Sequence, residues 1–519
     1  MNTRDSAPVY FDPYNVEIWS DPYAIYRRLR EEAPVYYNDQ HDFYACSRFE
    51  DVERGLMDKE TFINGRGNVL EVIKANVQAP AGIFIMEDPP IHTAHRGALS
   101  RIFTPKNMSM LEPKIRDFCA RSLDPLIDSG QLDFVADLGA KMPMRVIGML
   151  LGIPDEDLES VRQSADAKIR TERGQPMVFA QETASGEDFA DYINWREKHP
   201  SDDVMTQLLH AEFKDETGTM RKLTRGELLA MINMLATAGN ETTNRLIGWT
   251  GKVLAEHPEQ RREIAKNPGM IPAVIEEVLR FESPGPHAAR YVTRDVEVQG
   301  VKIPKGSSVD FLIGAANRDH RRFVDGDRFD VKRQARPHLA FGYGIHACMG
   351  AALARIEGRI ALEEVLKRFT DWEVDYDNAE LSSATAVRGW ETMPTFTGPG
   401  GRAARDARKA EKAASTRVEP TASVEGTWNV VVKSPAGPMP TTLLLERVNG
   451  ELTGSQSGQG MTTPITDVKV DGNNIVWKNE VKQPMKMKLQ FSGVINGSEM
   501  SGKVKAGFMG SFPFTGAKA

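Results

Sequence analysis

The chain has 519 residues and a formal net charge of −7, with an apolar fraction ordinary for a globular protein. That length admits more than one domain and a large core. The acidic balance argues against nucleic acid or an anionic membrane as the main partner. Three widely spaced cysteines, Cys46, Cys119 and Cys348, build no disulfide framework, zinc pair or iron–sulfur site on their own. They point to a reducing, cytoplasmic setting.

The N-terminus from Met1 to Pro8 lacks the apolar run of a signal peptide or anchor, and no segment has the length of a membrane span. No membrane anchor is expected. Up to about residue 400 the pattern is mainly helical with scattered short strands. In Asp88-Pro89-Pro90-Ile91-His92-Thr93-Ala94-His95-Arg96 a helix can begin after the prolines, which puts His92 and Arg96 on one face. His95 and His338 read as surface or core histidines. Met142 to Gly152 has helical apolar spacing and a glycine stop. Leu223 to Val253 is a long apolar helix with Thr224 as N-cap and Glu227 as capping-box partner. Within it, Ala238-Gly239-Asn240-Glu241-Thr242-Thr243 gathers residues that suit a helix interior poorly. A solvent-facing polar stripe would be the plain explanation, but such local conflict also marks functional sites.

Glu277 and Arg280 stand three residues apart on one helix face, the spacing of an ordinary ion pair. Val296 to Val309 alternates like a hairpin, with its turn at Pro304-Lys305-Gly306. Phe341-Gly342-Tyr343-Gly344-Ile345-His346-Ala347-Cys348-Met349-Gly350 is a tight glycine loop running into a helix. Orphan N–H groups and the dipole at that helix start would stabilise a Cys348 thiolate. Gly398 to Gly401 opens an Ala-rich, basic run over 401–423, read as a solvated linker. From 424 to 519 the pattern is β. Met485 to Ser492 alternates strictly, and Asn449-Gly450, Asp471-Gly472 and Asn496-Gly497 are hairpin signals.

The cysteine loop resembles the haem-binding signature of the cytochrome P-450 family, Phe-Gly-x-Gly-x-His-x-Cys-x-Gly, at every specified position. The likeness runs from near residue 10 to about 397. It implies a mainly α cytochrome P-450 fold with small β-sheets over 1–400; the β pattern after 424 reads separately as a small antiparallel barrel or sandwich. It implies haem b (iron protoporphyrin IX), with Cys348 as iron ligand and Phe341 and Gly342 in the cradle. His92 and Arg96 match the family's Asp-Pro-Pro-x-His-x-x-x-Arg segment, and with Arg290 and His346 would reach the propionates. Glu277 and Arg280 match the Glu-x-x-Arg pair, whose third arginine is expected at Arg328, although the usual proline before that motif is missing. The Ala-Gly-x-Glu-Thr pattern makes Thr242 the group that steadies dioxygen and its water, and Glu241 the proton relay.

The activity implied is a monooxygenase that hydroxylates or epoxidises a hydrophobic small molecule using O2. Peroxide-driven members of the family lack the Glu–Thr pair, and a gas or ligand sensor would not need it. No Rossmann fingerprint or P-loop stands in a strand-to-helix context. Electrons from NAD(P)H are therefore expected through a separate ferredoxin and ferredoxin reductase. Lys332, Arg333 and Arg336 are a candidate docking face, with a solvated loop as the alternative. Pocket walls are expected from Gly65 to Ile85, around Met177, and from Met231 to Ala238. Gly426-Thr427-Trp428 followed by the β pattern faintly resembles lipocalin-like barrels, which leaves substrate capture, dimerisation or partner docking open for this domain.

Overall fold

The protein is described by a computed structural model covering residues 8–179, 184–398, 424–434, 437–448, 451–458, 460–471, 473–481, 487–506 and 511–519. The expected linker 401–423 and the Asn449-Gly450 turn lie outside these residues. The chain divides into two compact units, Met1–Arg402 and Ala403–Ala519.

The first unit is mainly helical. Its central element is one helix, Arg225–Glu256, of 32 residues. The capping box forms at its start: the Thr224 side chain accepts from the Glu227 N–H at 3.3 Å, and the Thr224 N–H donates to Glu227 Oε2 at 2.8 Å. The helix runs unbroken through Ala238 to Thr243. Around it pack Met142–Leu151, Leu158–Ile169, Ile271–Phe281 and Ala351–Arg368. Met142–Leu151 ends as its sequence suggests, on Gly152 at φ +77, in the left-handed region that favours glycine. One large apolar core joins these helices and includes Ile83, Phe84, Met231, Met234 and Leu235 from two of the expected pocket walls.

A five-stranded sheet flanks the helices, in the order Val35–Asn38, Phe43–Cys46, Ser308–Phe311, Ala288–Val292, Phe62–Ile63. The hairpin expected over Val296 to Val309 is shorter. Val296–Val298 pairs with Val301–Ile303 through a turn at Gln299-Gly300, because both of those residues take positive φ, 50° and 77°, as a two-residue turn requires. Pro304 to Gly306 instead leads into the strand Ser308–Phe311.

His95 is fully buried. Its Nδ1 lies 2.8 Å from Glu87 and its Nε2 3.2 Å from Glu227. Burial opposes charging this ring, but the two carboxylates outweigh it and raise its pKa. The clamp ties the segment before residue 88 to the first turn of the long helix. Gly82 makes that approach possible: at φ +102, a Cβ there would stand 2.4 Å from the Glu227 carbonyl oxygen.

The second unit is a closed antiparallel barrel of eight strands in sequence order, from Gly426–Ser434 to Ser511–Lys518. Side chains alternate as the sequence implies, with Phe491 and Ile495 inside and Gln490, Ser492 and Val494 outside. Trp477 and Phe491 are cross-strand partners that stack at 4.6 Å, with Phe514 against both.

Candidate haem site

Cys348 sits between a short 3-10 turn, Gly344–His346, and the helix Ala351–Arg368. Its N–H donates to the Phe341 carbonyl at 2.7 Å, which closes the loop. Gly342 and Gly344 carry positive φ, 66° and 70°, and a Cβ on Gly344 would stand 2.8 Å from the Leu56 carbonyl oxygen. The residue is exposed. Protein packed around the sulfur pushes the thiol up on balance, against the downward pull of the N–H groups of Gly350 and Ala351 and of the charges of Arg96 and Arg355. The helix start therefore acts on the sulfur as a helix N-terminus should.

Four basic side chains gather beside this loop. Arg96 Nη2 donates to the Ala347 carbonyl at 2.5 Å. The His92 and His346 rings stand 4.3 Å apart. Both His92 ring nitrogens and His346 Nδ1 are buried without a partner among the described residues. Arg290, on the strand Ala288–Val292, donates to the Ala289 carbonyl at 2.8 Å. Burial, then repulsion from Arg96, holds His92 below the ordinary histidine range. Burial with repulsion from His92, Arg290 and Arg96 brings His346 to about 3. Burial also lowers Arg96, and it brings Arg290 to about 10. Buried donors that repel one another and lack partners are costly alone. A ligand bearing two carboxylates beside a thiolate-bound metal would relieve them. The residues therefore fit haem, which would be held by Cys348, with its propionates met by His92, Arg96, Arg290 and His346.

On the long helix, Thr242 Oγ1 donates to the Ala238 carbonyl at 2.9 Å, one turn earlier. Ala238 is exposed and Thr242 half-buried, within an otherwise buried stretch. Glu241, the next residue round the helix, is buried. Its Oε2 accepts from Arg245 Nη2 at 2.5 Å. Arg245 went unremarked in the sequence, although its i+4 spacing from Glu241 is the ordinary helix ion-pair signal. Asp166 and Glu391, which join this pair, lie too far away in sequence for any spacing rule to find.

Behind the cysteine loop, Arg280 Nε and Nη2 donate to Glu277 at 2.7 and 2.8 Å, with both side chains fully buried. The third arginine is not Arg328. That side chain is 66% exposed and pairs with Asp330 at 3.1 Å. The tight turn closed by Arg328 N–H to the Asp325 carbonyl leaves Arg328's own carbonyl facing inward, where it accepts from Arg280 and Arg333. Arg333 fills the position instead, with Nε at 3.2 Å from Glu277 and an 11% exposed side chain. The neighbouring Glu276 accepts from Arg336 and Arg355 at 2.6 Å and lies 3.0 Å from His338 Nε2. These partners hold its carboxyl well below the usual range despite burial. Lys332 pairs with Glu263 at 2.8 Å. Each member of the expected docking face thus engages an acid of its own chain.

The family model for cytochrome P450 matches residues 181–386. Cytochrome P450 109 of Bacillus spizizenii is 35% identical over 354 residues, covering 66% of this chain and 84% of that one. The vitamin D(3) 25-hydroxylase of Pseudonocardia autotrophica is 33% identical over 394 residues, covering 75% and 96%. The solved structure of cytochrome P450 CYP109Q5 from Chondromyces apiculatus superposes with a TM-score of 0.67 at 33% identity, covering 75% of this chain and 99% of that one. Among the described residues no helix is long and apolar enough to cross a membrane. With the cysteine loop and the basic cluster, these likenesses establish that the chain belongs to the cytochrome P450 family of haem-thiolate monooxygenases.

Proposed function

We propose that the first unit hydroxylates or epoxidises a hydrophobic small molecule with O2, using electrons relayed from NAD(P)H by a separate ferredoxin and its reductase. The relative that acts on vitamin D(3) supports a bulky apolar substrate. The apolar residues Met231, Met234 and Leu235 on the long helix support the same class. Bound haem supplies dioxygen activation and O–O scission. The chain supplies the anchor at Cys348, the charge partners at His92, Arg96, Arg290 and His346, and a route for protons.

The observation that carries the oxygen-dependent reading is the arrangement at Thr242. Its hydroxyl donates to the Ala238 carbonyl, so the oxygen's lone pairs remain open to water. Glu241 stands one residue away on the buried side of the helix. In this reading Thr242 holds a water and Glu241 moves a proton toward it. Thr242→Ala is expected to keep the thiolate-type carbonyl spectrum while product formed per NAD(P)H falls several-fold. Equal coupling in mutant and wild type would remove this role from Thr242.

For the barrel we propose partner docking or assembly rather than substrate capture. Trp428, Trp477, Phe491, Phe514 and the aliphatic residues around them fill its interior. Its buried polar groups satisfy one another: Gln456 Oε1 accepts from Trp477 Nε1 at 3.2 Å and from Asn479 Nδ2 at 3.1 Å, and Gln456 Nε2 donates to Thr441 at 2.9 Å. A filled eight-stranded barrel is a packed core. Hydrophobic compounds should shift the iron spin state with the same affinity in the full chain and in a chain ending at Gly401. Hits that appear or tighten only in the full chain would return the barrel to substrate capture.

A further inference from the structure

Glu241 and Arg245 belong to a ring of charged groups drawn from three separate elements. On the helix Leu158–Ile169, Asp166 Oδ2 accepts from Arg162 Nη1 at 2.6 Å. Arg170, just past that helix, lies 3.6 Å from the same oxygen and also pairs with Glu391. Glu391, on the strand Trp390–Thr392, lies 3.3 Å from Arg245 Nη2. Arg245 bonds Glu241, the Trp390 carbonyl and Ser382 Oγ. The Asp166 carboxyl also interacts with that of Glu241, which closes the ring. The fit is built: a Cβ on Gly389 would stand 2.6 Å from Arg245 Cδ, so only glycine leaves the guanidinium its place.

Two side chains at the centre are almost completely buried, Asp166 at 5% and Glu241 at 4% exposed. Two carboxylates in contact in such a place do not both stay ionised. Asp166 Oδ1 is buried and meets no donor among the described residues, so a proton on one carboxyl, shared with the other, is what would satisfy it. Burial, then the Glu241 contact, raises Asp166 well above the ordinary carboxylate range, against the pull of Arg162 and Arg170. The outer side of the ring is wet. Arg170 is 45% and Glu391 30% exposed. Ser382 and Trp390 also line a solvent-open cavity of about 520 Å³.

We propose that Asp166 is a positioning residue that stores a proton against Glu241 and passes it to Glu241 during turnover, with replacement from solvent on the exposed Arg170–Glu391 side of the ring. This deepens the monooxygenase reading and rests on it. The transfer is a plain exchange. The O–H bond on Asp166 breaks as one forms on the Glu241 carboxylate, and that same proton then leaves Glu241 toward Thr242. A proton from solvent on the exposed side of the ring, at Arg170, then restores Asp166. Glu241 need not swing out to solvent, so Arg245 can hold it in place throughout.

The substitution Asp166→Asn tests this, because asparagine keeps the shape and can donate to Glu241 but cannot hand over an acid proton. Infrared spectra of the resting holoprotein report protonated carboxyls without any turnover. Glu357, buried and pushed well above the ordinary range, contributes a second such band, so the wild-type-minus-mutant difference is the readout. The expected result is a protonated-carboxyl band at neutral pH that is missing from Asp166→Asn and fades from wild type as the pH becomes alkaline. Product per NAD(P)H should fall several-fold in the mutant and its solvent deuterium isotope effect should rise, with the carbonyl spectrum and substrate-induced spin shift unchanged. No difference band at neutral pH would overturn the proposal, and so would a band whose loss leaves coupling and isotope effect unchanged. A wild-type protein lacking the thiolate-type carbonyl spectrum would instead sink the monooxygenase reading and leave the infrared result standing.

Discussion

Cys348→Ser should abolish both the thiolate-type carbonyl spectrum and substrate oxidation while leaving the chain folded. The loop around this residue is held by groups the substitution spares. The residue-348 N–H still closes onto the Phe341 carbonyl, Arg96 still reaches the Ala347 carbonyl, and Gly342 and Gly344 keep their left-handed conformations. The side chain is exposed, so exchanging sulfur for oxygen empties no core space. The change falls on ligand chemistry. A thiolate is soft, anionic and strongly electron-donating toward iron. A serine hydroxyl at the same helix start stays neutral and does not make that bond. Far-UV circular dichroism should match wild type and oxidation should drop to background. A wild-type-like carbonyl spectrum in the variant would show that another residue holds the iron. Loss of fold would show instead that the loop depends on the sulfur itself.

What the sequence revealed follows how local each feature is. The cysteine loop is written within ten residues because its conformation is set by its own glycines. The Thr224–Glu227 capping box is a three-residue relation that tertiary packing does not disturb. The alternation of the last strands gives a barrel because the inward residues are regularly spaced. The failures concern choices made by distant chain. Arg328 and Arg333 are both arginines near the same meander, and the turn after Asp325 decides which one faces Glu277. The hairpin turn moved to Gln299-Gly300 because positive φ at two consecutive residues outranked the proline signal. Ala238 to Thr243 gathers residues that suit a helix interior poorly. The helix continues because Thr242 spends its hydroxyl proton on the Ala238 carbonyl and Glu241 finds Arg245 one turn later. The Asp166–Glu241–Arg245–Glu391 ring was invisible, since it joins three segments spread over more than two hundred residues.

The second large effect is expected at Glu277. Its carboxylate is fully buried and accepts from Arg280, from Arg333 and from the Asp330 N–H at 3.0 Å. Glu277→Ala leaves Arg280 as a buried cation with only carbonyl partners, those of Asn317 and Gly326 at 2.8 Å and of Arg328 at 3.3 Å. Breaking one side of a buried pair costs roughly 3–5 kcal/mol, a large share of the roughly 5–15 kcal/mol that holds a typical protein folded. Glu277→Ala should therefore yield little soluble, haem-loaded protein, and what survives should melt many degrees lower. The two arginines separate the alternatives for the third partner. Arg333→Ala removes a nearly buried partner of Glu277 that also donates to the Val324 and Asp325 carbonyls, for a loss on the order of 1–3 kcal/mol. Arg328→Ala removes an exposed side chain and should stay within about 0.5 kcal/mol of wild type. Denaturant midpoints of the two variants decide the matter. If Arg328→Ala proved the more damaging, the meander would have to turn the other way, with Arg328 rather than Arg333 bracing the helix behind the cysteine loop.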